Sequence, residues 1–151
     1  MILTSPNFKH NEKIPVRFTK DGENINPELI IEDIPENTKS LILIVDDPDA
    51  QRVAGFTWIH WVVFNILVKN KELIIKENSL PGTYGESTYK KAEYGGPNPP
   101  KETGIHHYYF KIYAIDEILD LKEGTKLSEI ENTIRNHILD KTELIGIYFR
   151  N

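Results

Sequence analysis

The chain contains no cysteine, which excludes a disulfide scaffold, a thiolate zinc site and a cysteine nucleophile. No apolar run approaches the roughly 20 residues needed to span a bilayer. The opening Met1-Ile2-Leu3-Thr4-Ser5-Pro6 has neither the basic start nor the long apolar core of a secretory leader, and no Asn-x-Ser/Thr acceptor occurs. A cytoplasmic protein without integral membrane association is therefore expected. Positive charge is in deficit: 18 Lys and Arg against 23 Asp and Glu leave a net charge of −5. Such a chain repels a nucleic-acid backbone on balance, so nucleic acid is not an expected partner. The common catalytic signatures are missing as well, with no Walker loop, no G-x-G-x-x-G, no G-x-S-x-G elbow and no H-E-x-x-H pair.

What remains is ordinary globular composition, with 39% hydrophobic, 27% charged and 10% aromatic residues. A chain of 151 residues buries enough surface to fold unaided, and no composition shift or repeat divides it, so one domain over residues 1–151 is expected. Val16 to Phe18, Leu29 to Ile31 and Ser40 to Val45 read as strands, the last apolar enough to be covered on both faces. Thr57 to Ile66 alternates, with Trp58, His60, Val62 and Phe64 on one face and Ile59, Trp61, Val63 and Asn65 on the other. His106 to Ile115 alternates too, which groups His106, Tyr108, Phe110, Ile112 and Ala114. One helix is predicted from Ser128, with Glu131 completing a capping box and Ile130, Ile134 and Ile138 forming an apolar stripe. Leu144 to Phe149 reads as a closing strand. Many short strands with one clear helix predict a mostly β fold, a sandwich or small barrel.

Three polar clusters stand in this apolar setting: Asp46-Asp47-Pro48-Asp49 after a buried strand, His60 inside a strand, and Gly95 to Tyr108. Each has an ordinary structural explanation when taken alone. Asp-Pro-Asp makes a surface turn, a strand histidine bonds a carbonyl, and Gly95-Gly96-Pro97-Asn98-Pro99-Pro100 makes a stiff connector. Read jointly, they are candidates for the edge of one cleft, although periodicity does not bring them together. A rigid strand end can hold Asp47 or Asp49 where it orients an imidazole, and His106 and Tyr108, at i and i+2, share one side of their strand. Two imidazoles and a phenol suit an anion. A two-histidine, one-carboxylate metal site would have to recruit His60, because adjacent His106 and His107 point to opposite faces; an anion ranks above a metal, and no cofactor is expected. His10 and His137 receive no functional role.

These residues resemble the phosphatidylethanolamine-binding protein family, also called the Raf kinase inhibitor protein family, in its bacterial and archaeal branch. The resemblance rests on Phe18-Thr19-x-Asp21-Gly22-x-Asn24, Asp47-Pro48-Asp49-Ala50, Trp58-x-His60-Trp61, Gly96-Pro97-x-Pro99-Pro100 followed by Gly104-x-His106-x-Tyr108, and Glu143-Leu144-Ile145-Gly146-x-Tyr148. It implies an antiparallel β-sandwich with one or two short helices. It also implies a small anion pocket to which Asp47, His60, Pro100, His106 and Tyr108 contribute, with Asp49, Gly96 and Pro99 in support. His107 stands where the family often has Arg, Gln51 where Pro is common, and Asn26 and Glu28 replace the usual Ser and Pro around Pro27.

The expected function is non-enzymatic binding of phosphate-bearing small molecules or phospholipid head groups, with a regulatory role. Protonated His60 or His106 and the Tyr108 hydroxyl would be the donors, so binding should strengthen as pH falls. One alternative is stoichiometric inhibition of a serine protease or a kinase, as the resemblance allows; a second is a hydrolase using Asp47, His60 and His106 as acid and base. Resemblance to prokaryotic members allows a homodimer.

Overall fold

The computed structural model describes residues 1–151. β1 (Ile2–Thr4), β3 (Leu29–Glu32) and β6 (Leu73–Ile75) make a small sheet in the order β1-β3-β6. β2 (Glu12–Lys13), β4 (Ser40–Asp47), β5 (Trp58–Leu67), β7 (Thr83–Tyr84), β8 (His106–Ile115) and β9 (Ile138–Tyr148) make a large one, ordered β2-β9-β8-β4-β5-β7. Every pairing is antiparallel except that of β2 with β9. Two short helices, α1 (Gln51–Ala54) and α2 (Leu127–Ile134), complete the fold.

β4 is the central member, and all its residues are buried, as its apolar sequence requires. Leu41, Leu43 and Val45 pack with Leu29, Ile31 and Ile75 of the small sheet. Ile42 and Ile44, on the opposite face, pack with Val62 and Phe64 beneath Ile130 and Ile134 of α2. The result is three layers: small sheet, large sheet, helix. Each such aliphatic side chain contributes about 1.5–3 kcal/mol on leaving water, which makes this double-faced strand a rigid base for whatever follows its end.

The structure departs from the sequence expectations at five places. Val16 to Phe18 is a 3-10 turn rather than a strand, closed by Phe18 N–H to Pro15 O and Thr19 N–H to Val16 O, both 3.0 Å. Proline at the turn's entrance presets the required φ, and burial of Phe18 to 2% exposure holds the turn down. α2 is capped at Lys126 without a side-chain bond, so Ser128 lies inside the helix and the capping box does not form. The helix stripe ends at Ile134, and Ile138, 41% exposed, opens β9 instead. β9 is longer than the predicted closing strand because its first half is an exposed, polar edge with no apolar alternation to signal it.

The fifth departure shapes the site. Val45 pairs with Trp61 but Asp46 pairs with Ile59, so a β-bulge places His60 and Trp61 together opposite one step of β4. Both then lie on the face toward the large core: Trp61 packs edge-on to Tyr94 and His60 edge-on to Tyr108. Strict alternation had grouped His60 with Val62 and Phe64, which face α2.

Candidate functional site

Along the core face of β4 the alternation Leu41, Leu43, Val45 continues to Asp47, where the apolar filling stops. Asp47 caps the 3-10 turn Pro48–Ala50: its Oδ1 accepts from Ala50 N–H at 3.2 Å. Its other oxygen, Oδ2, meets His106 Nδ1 at 2.6 Å. The pair is deeply enclosed, with Asp47 3% and His106 1% exposed. Burial pushes the Asp47 carboxyl above its ordinary value, against the pull of His106. The pairing of β4 with β8 sets Asp46 opposite Tyr109, which puts His106 and Tyr108 on the face of Asp47.

His60 approaches from the bulge in β5 and donates from Nδ1 to the Gly95 carbonyl at 2.6 Å. Burial lowers its pKa to about 4, outweighing the help from the Gly95 and Gly96 carbonyls. His60 is therefore neutral near neutral pH, which corrects the expectation that it serves as a cationic donor. Tyr108, 1% exposed, makes no hydrogen bond through its hydroxyl, and burial raises its pKa. Trp58 has a buried indole N–H with no acceptor. Tyr89 packs edge-on against both Trp58 and His60 and donates to Gly96 O at 3.3 Å.

These side chains enclose a cavity of about 210 Å³ walled by Asp47, His60, Pro99, Pro100, His106 and Tyr108, with Trp58, Tyr89, Asn98 and the α1 residue Val53 among the rest of its lining. Six of the eight residues singled out in the sequence thus line one cavity. Gly96 acts from behind. Its N–H donates to Asn24 Oδ1 at 2.7 Å, and a Cβ there would run into the Phe18 carbonyl, so only glycine permits this approach. Asp49 lies outside the cavity and accepts from the His107 backbone N–H at 2.8 Å and from His107 Nδ1 at 2.7 Å. His106 and His107 do face opposite ways.

Several contributors were invisible to sequence periodicity because they sit in loops or in the one-turn helix α1. Arg52 donates to the carbonyls of Thr103 and Ile105 at 3.0 and 2.7 Å. Arg150 grips Asp21 through Nε at 2.9 Å and through a terminal nitrogen at 2.6 Å, and reaches Pro99 O at 3.0 Å. These two clamps hold the 95–105 loop over the cavity from either side. Thr103 Oγ1 lies 2.9 Å from His106 Nε2. Three of the four ring nitrogens of His60 and His106 are therefore engaged by the protein, which leaves a poor set of metal ligands. Both Asp47 oxygens are engaged too, so the cavity presents hydrogen-bond donors more than a bare negative charge.

A family model described as phosphatidylethanolamine-binding protein matches residues 4–149. The UPF0098 protein of Pyrococcus horikoshii is 40% identical over 149 residues, which cover 95% of this chain and 74% of that one. Among solved structures, a putative phosphatidylethanolamine-binding protein homologue from Chlamydia trachomatis aligns with a TM-score of 0.88 and 34% identity, covering 99% of this chain and 97% of that one. Carboxypeptidase Y inhibitor, solved with its cognate proteinase, aligns with a TM-score of 0.56 and 16% identity over 83% of this chain and 71% of that one, a likeness of fold alone.

Proposed function

The chain belongs to the phosphatidylethanolamine-binding protein family, and from that premise we propose that it is a non-enzymatic binding protein whose cavity takes a small phosphate-bearing group, free or as a head group. The observation that carries this reading is the Tyr108 hydroxyl, which lines the cavity on a residue 1% exposed without any acceptor in the protein. The hydroxyl faces the open cavity, where an anionic oxygen would accept a charge-assisted hydrogen bond from it, worth about 1.5–3 kcal/mol. The Asp47 carboxylate would repel a dianion, but its contact with His106 keeps a proton between them. The cavity volume of about 210 Å³ admits a phosphate and a short substituent.

Calorimetric titration of phosphoethanolamine, inorganic phosphate and sulfate at about pH 6 and about pH 8, either side of the ordinary histidine value, tests this reading. Sulfate keeps its charge throughout, so any pH dependence of its binding belongs to the protein. Binding should be stronger at the lower pH and lost in His106→Ala. Absence of binding for all three anions at both pH values would overturn the reading.

A second reading, stoichiometric inhibition of a protease or kinase, is favoured by an exposed apolar rim. Val53, Phe56 and Ile105 are 42%, 46% and 47% exposed and flank the cavity. Its test is a stoichiometric titration against carboxypeptidase Y with Phe56→Ser as control.

A further inference from the structure

Thr103 is the residue of this site with the tightest logical constraint on it. Its single hydroxyl hydrogen has two neighbours, the Pro100 carbonyl at 2.8 Å and His106 Nε2 at 2.9 Å. A carbonyl cannot donate. If the hydroxyl pointed its hydrogen at Nε2, the Thr103 and Pro100 oxygens would face each other as two acceptors in contact. Both contacts are hydrogen bonds only if Thr103 donates to Pro100 and accepts from a hydrogen on Nε2. The contact of 2.6 Å between His106 Nδ1 and Asp47 Oδ2 requires another hydrogen. Two hydrogens on the Asp47–His106 pair make it formally neutral, whereas one hydrogen would leave a charge of −1 beneath the cavity.

We propose that Thr103 is the positioning residue that keeps the second proton on the Asp47–His106 pair, and so sets the charge that an anion in the cavity meets. The role rests on the anion reading above for its purpose, though not for its test. Thr103 is itself held: Arg52 donates to its carbonyl and to that of Ile105, and Gly104 between them turns the chain at φ +79°. The Thr103 hydroxyl is therefore aimed by a clamp on the far side of the loop. Burial, which pushes the Asp47 carboxyl up, favours the same neutral state.

The other charges around the pair come from every neighbouring element. Asp49 follows on the same turn and acts on Asp47, His60 on β5 and His106 act on each other, with Lys20 beside them, and Tyr108, Tyr89 and Arg150 close the cavity side. None of these bonds to Nε2.

The test is a side-chain nitrogen NMR titration of His106 in the ligand-free protein from about pH 5 to about pH 9, comparing wild type with Thr103→Val, Thr103→Ala and Thr103→Ser. Removing an acceptor for a buried N–H should lower the His106 midpoint by about one pH unit in the valine and alanine variants, while serine restores it. Sulfate affinity at a pH above the midpoint should fall about tenfold in parallel. Equal midpoints in wild type and both Val and Ala variants, or a wild-type Nε2 without hydrogen below its midpoint, would overturn the proposal. Because the titration needs no ligand, a protein that binds no sulfate yet shows the Thr103-dependent midpoint refutes the anion reading and leaves the proton assignment standing. Alanine and serine give two further variants should the valine protein fail to fold.

Discussion

Two adjacent histidines in this molecule do the same local chemistry in opposite surroundings. His106 Nδ1 meets Asp47 at 2.6 Å and His107 Nδ1 meets Asp49 at 2.7 Å, both carboxylates coming from one Asp-Pro-Asp turn. The inner side chains are 2% and 5% exposed, the outer ones 44% and 25%. Burial dominates inside, so the Asp47 carboxyl rises above its ordinary value. Outside, burial also pulls Asp49 up, but the His107 ring, its backbone N–H and Arg52 together bring it below the ordinary carboxylate range. The same motif thus holds a raised carboxyl in the buried pair on one side of the strand and a lowered one in the solvent-facing pair on the other. Depth, rather than bond length, separates the cavity pair from the surface pair.

The comparison breaks most visibly by deleting each imidazole. His106→Ala leaves the buried Asp47 without its partner and should cost about 3–5 kcal/mol in denaturant unfolding, together with all sulfate binding. His107→Ala should cost under about 1 kcal/mol and leave sulfate affinity unchanged. Equal losses in the two variants would show that depth is not what distinguishes the pairs.

Acid sharpens the contrast through His60, the other buried imidazole. Its folded pKa of about 4 lies below the ordinary 6.5, so the stability it contributes is present above pH 6.5 and is lost as pH falls through about 4. The loss should reach about 3 kcal/mol. Asp46 and Asp47, both raised mainly by burial, act in the opposite sense, because a raised carboxyl favours the folded state at low pH. Unfolding of wild type and His60→Gln across this range isolates the histidine contribution, and parallel pH curves would exclude it.

Smaller effects follow at the two surfaces of the site. Tyr108→Phe removes a donor that bonds nothing in the protein, so sulfate should bind about tenfold more weakly while unfolding stability stays within about 0.5 kcal/mol. Asp49→Asn weakens the outer pair and should shift stability by less than about 1 kcal/mol, an effect that shrinks in high salt. Affinity measured by calorimetry and stability measured by urea unfolding separate these outcomes.

Much of this was readable before folding. The run Ser40 to Val45 announced a strand covered on both faces, and alternation in His106 to Ala114 correctly set His106 and Tyr108 together with His107 turned away. Six of the eight site residues marked in the sequence meet at one cavity. Alternation failed at His60, where a bulge shifts the face of every residue beyond it. The capping box failed for the helix start, where Lys126 rather than Ser128 is the cap. Thr103, Tyr89 and Arg150 in loops, and Arg52 in the four-residue α1, carried no periodic signal, because neither a loop nor a single helical turn has a repeat from which a facing can be read.

By itself, the sequence determined the β-rich fold, the family, and the residue types gathered at one cavity, since these follow from hydrophobic periodicity and motif spacing along the chain. Only the tertiary structure decided which protons those residues hold. His60 is neutral because it is buried against the Gly95 carbonyl. The Asp47 carboxyl is raised because burial outweighs the pull of its contact with His106. Protonation depends on local dielectric and on contacts between residues as far apart in the chain as Asp47 and His106, and neither is written in the order of amino acids.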